Sequence, residues 1–326
     1  MKKILNFSTH KGHLDLFDDD WHKAEIFLSK EGFDGYELYP VGDYPFQSIK
    51  RGLITGLHLR FFVIIEPIWR NDMNRLLEIF GDIETVKHFY GGCDRDYITE
   101  YYRKQLDLAW SLECEYVVFH PVHYELDYIY DWTVPWSFED TAIMSSEIIN
   151  EASKNSQYRG WILFENLWWP GNFRLDSADE IDFLLDLVDY SKKGIVLDTG
   201  HVLNKNENLR SEKDAIKFLI QSVKQNVRKP ELIKAVHLSF SQSGEYIRSS
   251  RNARNPLENV RSFAEKYTLA REHVGRIDQH NPFSDVAIKE LFDFISPEYL
   301  VFEFEFKSLD EWHNKIKTQK LALGLY

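Results

Sequence analysis

The sequence predicts an α/β protein in which eight parallel strands and their connecting helices form a (β/α)8 barrel, as a single domain over residues 1–326. Short apolar runs that look like strands alternate with helical patterns along most of the chain. That alternation is typical of a parallel sheet. The runs are apolar at successive positions, as expected of strands buried on both faces. Their number, eight, matches a barrel of this type.

The strands are predicted at about 3–8, 34–39, 54–60, 116–120, 161–166, 194–198, 233–239 and 299–305. Helices are predicted near 20–31, 96–113, 137–154, 177–191, 209–225, 284–294 and 308–319. Between the second and third strands, residues 43–52 are short for a helix and contain Pro45, which gives the weakest helical pattern of the chain.

Two connections are predicted to be long loops: 61–95 after strand 3 and 240–283 after strand 7. The second contains a basic segment with Arg248, Arg251 and Arg254. Long ordered loops in a compact domain commonly serve as lids or binding loops. The chain shows no repeat and no Pro/Gly/Ser-rich linker, which supports one domain.

Composition restricts the class of protein. The chain has 326 residues, 44% of them hydrophobic, and a formal charge of −13. No apolar run approaches the roughly 18 residues that cross a bilayer, and the N-terminus lacks a signal-peptide pattern, so we expect no membrane association and a cytoplasmic location. Two cysteines, Cys93 and Cys114, do not make a disulfide framework. The acidic balance argues mildly against broad nucleic-acid binding.

Nine histidine and acidic residues are candidate metal ligands, and seven of them end or directly follow a predicted strand. In a parallel barrel such positions converge at the carboxyl ends of the strands. Imidazole and carboxylate ligands without thiolate suit Zn²⁺, Mn²⁺ or related ions. Nine ligands exceed the needs of one ion but are enough for two or three if one carboxylate bridges. The candidates are His58, His120, Glu165, Asp198, His201, His237, Asp278, His280 and Glu303.

Several of these positions have an ordinary structural alternative. A buried Glu165 is costly unless it is paired or binds a cation. Asp198 could simply cap a helix, although His201 three residues later favours ligation. Each strand-end histidine taken alone could be a core residue. Asp278 and His280 are expected to point the same way from an extended loop.

The last strand leaves one choice open, because Glu303 and Glu305 lie on the same face of YLVFEFE. Aromatic residues are frequent, and Trp168 and Trp169 follow strand 5 directly. Loops after barrel strands line the pocket, so this pair suits a substrate with a flat face, such as a sugar ring or a base.

The motifs resemble those of the xylose isomerase-like TIM-barrel superfamily over nearly the whole chain. Within it, the full ligand set resembles endonuclease IV, a zinc enzyme that cleaves DNA at abasic sites. The resemblance rests, in order, on HP at 120–121, EN at 165–166, DTGH at 198–201, HL at 237–238 and DQH at 278–280.

The resemblance implies three ion sites. The first would be held by His58, His120 and Glu165, the second by Glu165, Asp198, His237 and Glu303, and the third by His201, Asp278 and His280. It favours Glu303 over Glu305 and suggests that Phe61 and Phe62 correspond to residues that probe a gap in DNA.

The implied function is a multinuclear zinc or manganese hydrolase of a phosphoester, either abasic DNA or a smaller molecule, with Glu165 and Glu303 as catalytic residues. The alternative is a sugar or sugar-phosphate isomerase or epimerase with one ion, which needs only the second ligand group; there the two glutamates exchange a proton at carbon. A barrel that only binds a ligand or partner is a third possibility. One to three ions per chain are therefore expected.

Overall fold

Eight parallel strands close into a barrel in the computed structural model, which describes residues 1–325. Each strand pairs with its neighbours in chain order, and β8 closes the barrel against β1. The (β/α)8 prediction is therefore confirmed. The strands β1 to β8 are Lys2–Ser8, Gly35–Tyr39, Ile54–His58, Tyr116–Phe119, Trp161–Glu165, Lys193–Asp198, Ile233–Leu238 and Tyr299–Phe302.

The barrel is stable because its strands bury apolar side chains on both faces. Inside, Tyr116, Val118, Val196 and Val301 belong to one cluster of buried residues. Outward-facing side chains such as Phe119 pack against the surrounding helices in a second, larger cluster. Burial on both sides explains why the strands read as continuous apolar runs rather than alternating ones.

The helices α1 to α13 are Lys11–Leu14, Trp21–Lys30, Glu66–Trp69, Met73–Phe80, Ile83–Tyr90, Arg95–Ser111, Phe138–Lys154, Asp179–Asp186, Thr199–Asn204, Glu212–Asn226, Gly244–Asn252, Phe263–Ile277 and Leu309–Leu323. Short 3-10 turns occur at Asp15–Phe17, Phe46–Ser48, Leu126–Tyr128, Pro230–Leu232 and Val286–Asp293. The predicted helix at 284–294 is therefore a 3-10 segment, and the weak pattern at 43–52 forms a single 3-10 turn.

The two connections predicted to be loops are largely helical, which corrects the sequence prediction. Residues 61–95 contain α3, α4 and α5, and residues 240–283 contain α11 and α12. Local capping explains the first case, because Asp72 and Asp82 accept hydrogen bonds from the backbone N–H groups of Arg75 and Thr85. Such caps satisfy donors that have no partner within the helix and so favour helix initiation.

Among residues 1–325, no helix is both long and apolar enough to cross a membrane. Cys93 and Cys114 are free thiols, the second of them buried, in agreement with the expectation of no disulfide framework.

Candidate metal centre

The candidate ligands gather at the carboxyl ends of the strands. His58, Glu165 and Asp198 are the last residues of β3, β5 and β6. His237 lies one residue before the end of β7, and the remaining candidates belong to the segments that follow the strands. Seven of the nine line one cavity of about 590 Å³: His58, His120, Glu165, His201, Asp278, His280 and Glu303. Asp198 and His237 lie beneath its floor and are fully buried.

Two groups of candidate ligands are compact enough to hold an ion each. Within each group, one ligand atom per residue lies within 4.8 Å of the others. The groups are His58, His120 and Glu165, and Glu165, Asp198, His237 and Glu303. Glu165 belongs to both, so its carboxylate is placed to bridge two ions.

Glu165 lies at the centre of the cluster. Its Oε2 is 3.3 Å from His120 Nε2, 3.3 Å from His237 Nδ1 and 3.6 Å from His58 Nε2. Its Oε1 is 3.4 Å from His201 Nδ1. One oxygen of this carboxylate thus faces three imidazoles, from His58, His120 and His237, which is the contact pattern expected of a shared ligand.

Asp278 connects two further imidazoles. Its Oδ2 lies 3.3 Å from His201 Nε2 and 2.9 Å from His280 Nε2. Both side chains point into the cavity, as expected, but the expectation of an extended backbone is wrong, because His280 has a left-handed backbone with φ of 45°. That conformation is unfavourable for a residue with a Cβ and turns the imidazole back onto the Asp278 carboxylate.

Unpartnered buried atoms test whether a cation fits these residues. Buried polar atoms normally have a hydrogen-bond partner, and each one without a partner costs free energy. Within residues 1–325, six such atoms without a hydrogen bond belong to the cluster: His120 Nδ1, Glu165 Oε2, Asp198 Oδ2, His237 Nδ1, His280 Nδ1 and Glu303 Oε2. Four of them face one another, because Glu165 Oε2, Asp198 Oδ2 and Glu303 Oε2 surround His237 Nδ1 at 3.2 to 3.9 Å, an arrangement that fits a divalent cation.

In His58 and His201, a hydrogen bond at one ring nitrogen determines which of the two nitrogens can bind an ion. A carbonyl oxygen only accepts, so His58 donates from Nδ1 to the Leu59 carbonyl at 3.2 Å and His201 donates from Nδ1 to the Asn166 carbonyl at 2.7 Å. In the neutral ring this leaves Nε2 as the free lone pair. Such partners orient metal-binding histidines in many proteins.

Glu37 provides the corresponding partner for His237, and the sequence analysis missed it. Its Oε2 lies 3.1 Å from His237 Nε2 and accepts the Tyr116 hydroxyl at 2.8 Å. His237 therefore presents Nδ1 to Glu165 and Glu303, the latter at 3.2 Å. The sequence does contain a signal for this role of Glu37: it is the single acidic residue inside the apolar strand GYELY, where a charge is costly unless it is paired.

Removing the Glu37 carboxylate should weaken metal binding without removing a ligand. We expect Glu37→Ala to lower metal affinity about 10- to 100-fold, because the ring of His237 loses the partner that fixes its orientation. Glu37→Gln keeps an acceptor and should retain more of the affinity. Competition with a chromophoric chelator measures both variants, and equal affinity of Glu37→Ala and the parent chain would contradict the assignment.

The carboxylates of the cluster do not ionise alike. Burial raises the pKa of Asp198 well above its usual value, and the charges of Glu303 and Glu165 add to the shift, against the opposing imidazole of His201. For Glu165, burial also opposes ionisation, but the neighbouring imidazoles of His120 and others outweigh it and keep the pKa of Glu165 well below its usual range. A bound divalent cation would favour the charged form of every carboxylate in the cluster.

The position at which β8 ends distinguishes Glu303 from Glu305 as the candidate ligand of the last strand. The strand stops at Phe302, and the Glu303 side chain reaches His237 while keeping only 15% of its surface exposed. Glu305 is exposed at the edge of the cavity and makes no ion pair with a cluster residue among those the structure describes. Glu303, and not Glu305, thus lies among the candidate ligands.

Three of the four predicted substrate-binding aromatics line the cavity. Phe61, Trp168 and Trp169, which we call the aromatic wall, lie directly beside the cluster. The ring of Phe61 is 4.6 Å from that of His120, and the ring of Trp168 is 4.8 Å from that of His201.

Phe62 does not contribute to this wall. Its ring is fully buried and packs against Tyr90, Tyr101 and Tyr102, away from the cavity. Its predicted role in contacting substrate does not fit this position.

The fold and the cluster together define a (β/α)8-barrel protein with a candidate divalent-metal centre at the carboxyl ends of its strands. The chain belongs to the xylose isomerase-like TIM barrel family, whose model matches residues 27–285. The resemblance inferred from the motifs is therefore confirmed at the level of the family. Among curated proteins, no sequence matches the chain.

Solved structures of similar fold include enzymes of different reaction types. Endonuclease IV from Thermus thermophilus is 14% identical with a TM-score of 0.51, and the match covers 100% of both chains. A 3-keto-D-glucoside 4-epimerase from E. coli is 12% identical with a TM-score of 0.48 over 98% of both chains. A sugar phosphate isomerase/epimerase from Parabacteroides distasonis is 15% identical with a TM-score of 0.47 over 98% of this chain and 96% of the other. At these identities the similarity shows the fold alone.

Proposed function

We propose that this protein is a metal-dependent hydrolase of phosphoesters with a multinuclear zinc or manganese centre. The observation that carries the proposal is the position of Glu165 in two compact ligand groups at once. An enzyme with a single ion has no need of His58 and His120 beside the four residues of the second group. Phosphoester hydrolysis is a common use of paired metal ions in enzymes.

Each group would hold one ion. His201, Asp278 and His280 do not form a third compact group among the described residues, but the contacts of Asp278 with both imidazoles would contribute a third position. Bound divalent ions would supply an activated water and take up negative charge on the phosphoryl oxygens. The chain itself contributes orientation, because the imidazoles are fixed by Leu59, Asn166 and Glu37.

Glu303 is the second residue to which we assign a catalytic role. It lines the cavity at the edge of the cluster. Burial opposes its ionisation, but the imidazoles of His237 and His280 outweigh it and lower the pKa of Glu303 to about 2. The carboxylate is thus ionised at neutral pH and can accept a hydrogen bond from water in the cavity, which orients that water toward a bound ester.

One observation favours a second candidate, a sugar isomerase or epimerase with a single ion. Glu165, Asp198, His237 and Glu303 form a complete four-ligand group without the other candidates. In that case Glu165 and Glu303 would exchange a proton at carbon from two sides of the substrate, and the aromatic wall would contact the sugar ring.

Metal content per chain separates the two candidates. By elemental mass spectrometry on protein purified without chelator, we expect two or three Zn or Mn per chain. His120→Ala should lose about one ion because it removes a ligand of the first group, and His280→Ala should lose the third ion when three are present. His313→Ala is the matched control, since this half-exposed imidazole pairs with Glu31 outside the cluster.

A metal-loaded chain that hydrolyses phosphoesters, and loses that activity in the two cluster variants, would support the proposal. One ion per chain, unchanged in both variants, would contradict it. Incorporation of solvent deuterium into an accepted sugar would then establish the isomerase.

A further inference from the structure

The segments after β3 and β7 leave from opposite strands of the barrel and meet each other. Phe80 at the end of α4 and Phe89 in α5 pack against Phe263, the first residue of α12, with ring centroids 4.3 and 5.0 Å apart. Phe89 also contacts Tyr267 one turn further along α12, at 4.7 Å. Phe80 and Phe263 are buried by this contact. The two insertions are therefore joined by a packed aromatic interface.

Helix α12 consequently crosses the mouth of the barrel, and we call it the roof helix. Its first residues rest on the β3 insertion, and its last residue, Ile277, precedes Asp278, whose carboxylate lies 3.3 Å from His201 after β6. Fifteen helical residues span about 22 Å. In its C-terminal half, His273 packs against Tyr130 with ring centroids 4.0 Å apart, which anchors the helix to the segment after β4.

The roof helix presents Arg271 and Val274 to the cavity that contains the metal cluster. Arg271 is the one lysine or arginine among the residues that line this cavity. Within residues 1–325 its guanidinium makes no ion pair, whereas Arg251 and Arg254 are paired with Glu207 and Glu258. Arg271 is therefore available to a ligand, and guanidinium groups bind phosphate oxygens well.

The space beneath the roof helix suits a small molecule. A volume of about 590 Å³ lies within the range of small-molecule sites. Within the aromatic wall, Trp168 and Trp169 are buried, and the partly exposed Phe61 is the member that can contact a substrate ring, while its stacking on Trp169 at an interplanar angle of 16° holds it in place. A DNA duplex would have to bring its backbone to the metal cluster through the position that the roof helix occupies.

We infer that the substrate is a compact phosphoester that carries one ring-bearing organic group, and that Arg271 binds its phosphate from above. This inference rests on the proposed hydrolase function. The phosphate lies between Arg271 and the metal cluster, and the ring lies against the aromatic wall. Arg271 and the roof helix thereby determine specificity, and abasic duplex DNA is excluded.

A panel of substrates tests the inference on the metal-loaded protein. The probes are p-nitrophenyl phosphate, bis(p-nitrophenyl) phosphate and a duplex oligonucleotide with one abasic site. We expect kcat/KM for at least one small ester to exceed that for the duplex by about 100-fold or more, because the roof helix clashes with the longer substrate. Efficient cleavage of the duplex would overturn the inference and leave the proposed hydrolase intact. Hydrolysis of no phosphoester would overturn the proposed function and this inference with it.

Arg271 variants provide a second, independent readout. We expect Arg271→Ala to raise KM for the small ester about 10- to 100-fold with little change in kcat, because the lost hydrogen bonds are made to the bound phosphate before reaction. Inorganic phosphate binding, followed by calorimetry, should weaken by a similar factor, and Arg271→Lys should restore part of it. Arg276→Ala is the matched control, because that guanidinium stacks on Tyr246 outside the cavity. Unchanged phosphate binding in Arg271→Ala would overturn the assignment.

Discussion

Glu165→Gln should abolish both metal binding at two sites and hydrolytic activity. Glu165 belongs to both compact ligand groups, so the loss of its charge affects the ions of both groups. A neutral amide is a weaker ligand for a divalent cation than a carboxylate is. Losing one charge-stabilising group in an active site commonly costs 10²–10³-fold in rate, and here we expect a loss on the order of 10³-fold or more because two sites depend on one residue.

The measurement combines metal content, steady-state rates and a circular dichroism spectrum to verify folding. Glu113→Gln is a suitable control, since this exposed carboxylate pairs with Arg51 at the opposite end of the barrel. Glu165→Gln protein that keeps two or more ions per chain and turns over at the parent rate would show that Glu165 is not the bridging ligand. Loss of the rate with full metal content would instead assign it a role in catalysis alone.

Removing the metal ions should destabilise the folded chain. Glu165, Asp198, Asp278 and Glu303 converge in a largely buried cluster whose oxygens lack hydrogen-bond partners at several positions. A ligand that binds only the folded state contributes about 4 kcal/mol when present at a thousand times its dissociation constant. For a chain of this size that corresponds to a fall of roughly 10 °C in Tm on chelation.

Differential scanning calorimetry with and without chelator measures this effect, and readdition of Zn or Mn should restore the original Tm. In a chain with Glu165→Gln the effect of the chelator should be much smaller, because less metal is bound at the start. An unchanged Tm after verified metal removal would show that the cluster is stable without cations and would argue against a resident metal centre.

Much of the site could be predicted from the sequence, because the position of a residue at the end of a barrel strand does not depend on the details of side-chain packing. In a parallel barrel every strand ends on the same side, so Glu165, Asp198 and His237 had to converge once the strands were recognised. Their grouping into two sets that share Glu165 followed from the family resemblance, and the distances agree with it.

Other residues could not be placed from local sequence. Phe61 and Phe62 are adjacent aromatics, and only the packing of Phe62 against three tyrosines determined that Phe61 alone faces the cavity. His280 was expected on an extended backbone but has a positive φ, directly before Asn281, which pairs with the distant Phe240 in a β-bridge. The helices after β3 were marked by aspartate caps, yet a short capped helix and a loop with turn residues look similar in a single sequence.

The sequence by itself determined the fold class and the chemical nature of the centre. Repeated apolar runs specify buried parallel strands, and histidine and carboxylate residues at their ends specify a candidate cation site, since both are properties of short segments. Only the tertiary structure decided that Glu37 supports His237, that Glu303 rather than Glu305 joins the cluster, and that a helix covers the barrel mouth. These depend on contacts between residues far apart in the chain, which the folded packing creates and no local pattern encodes.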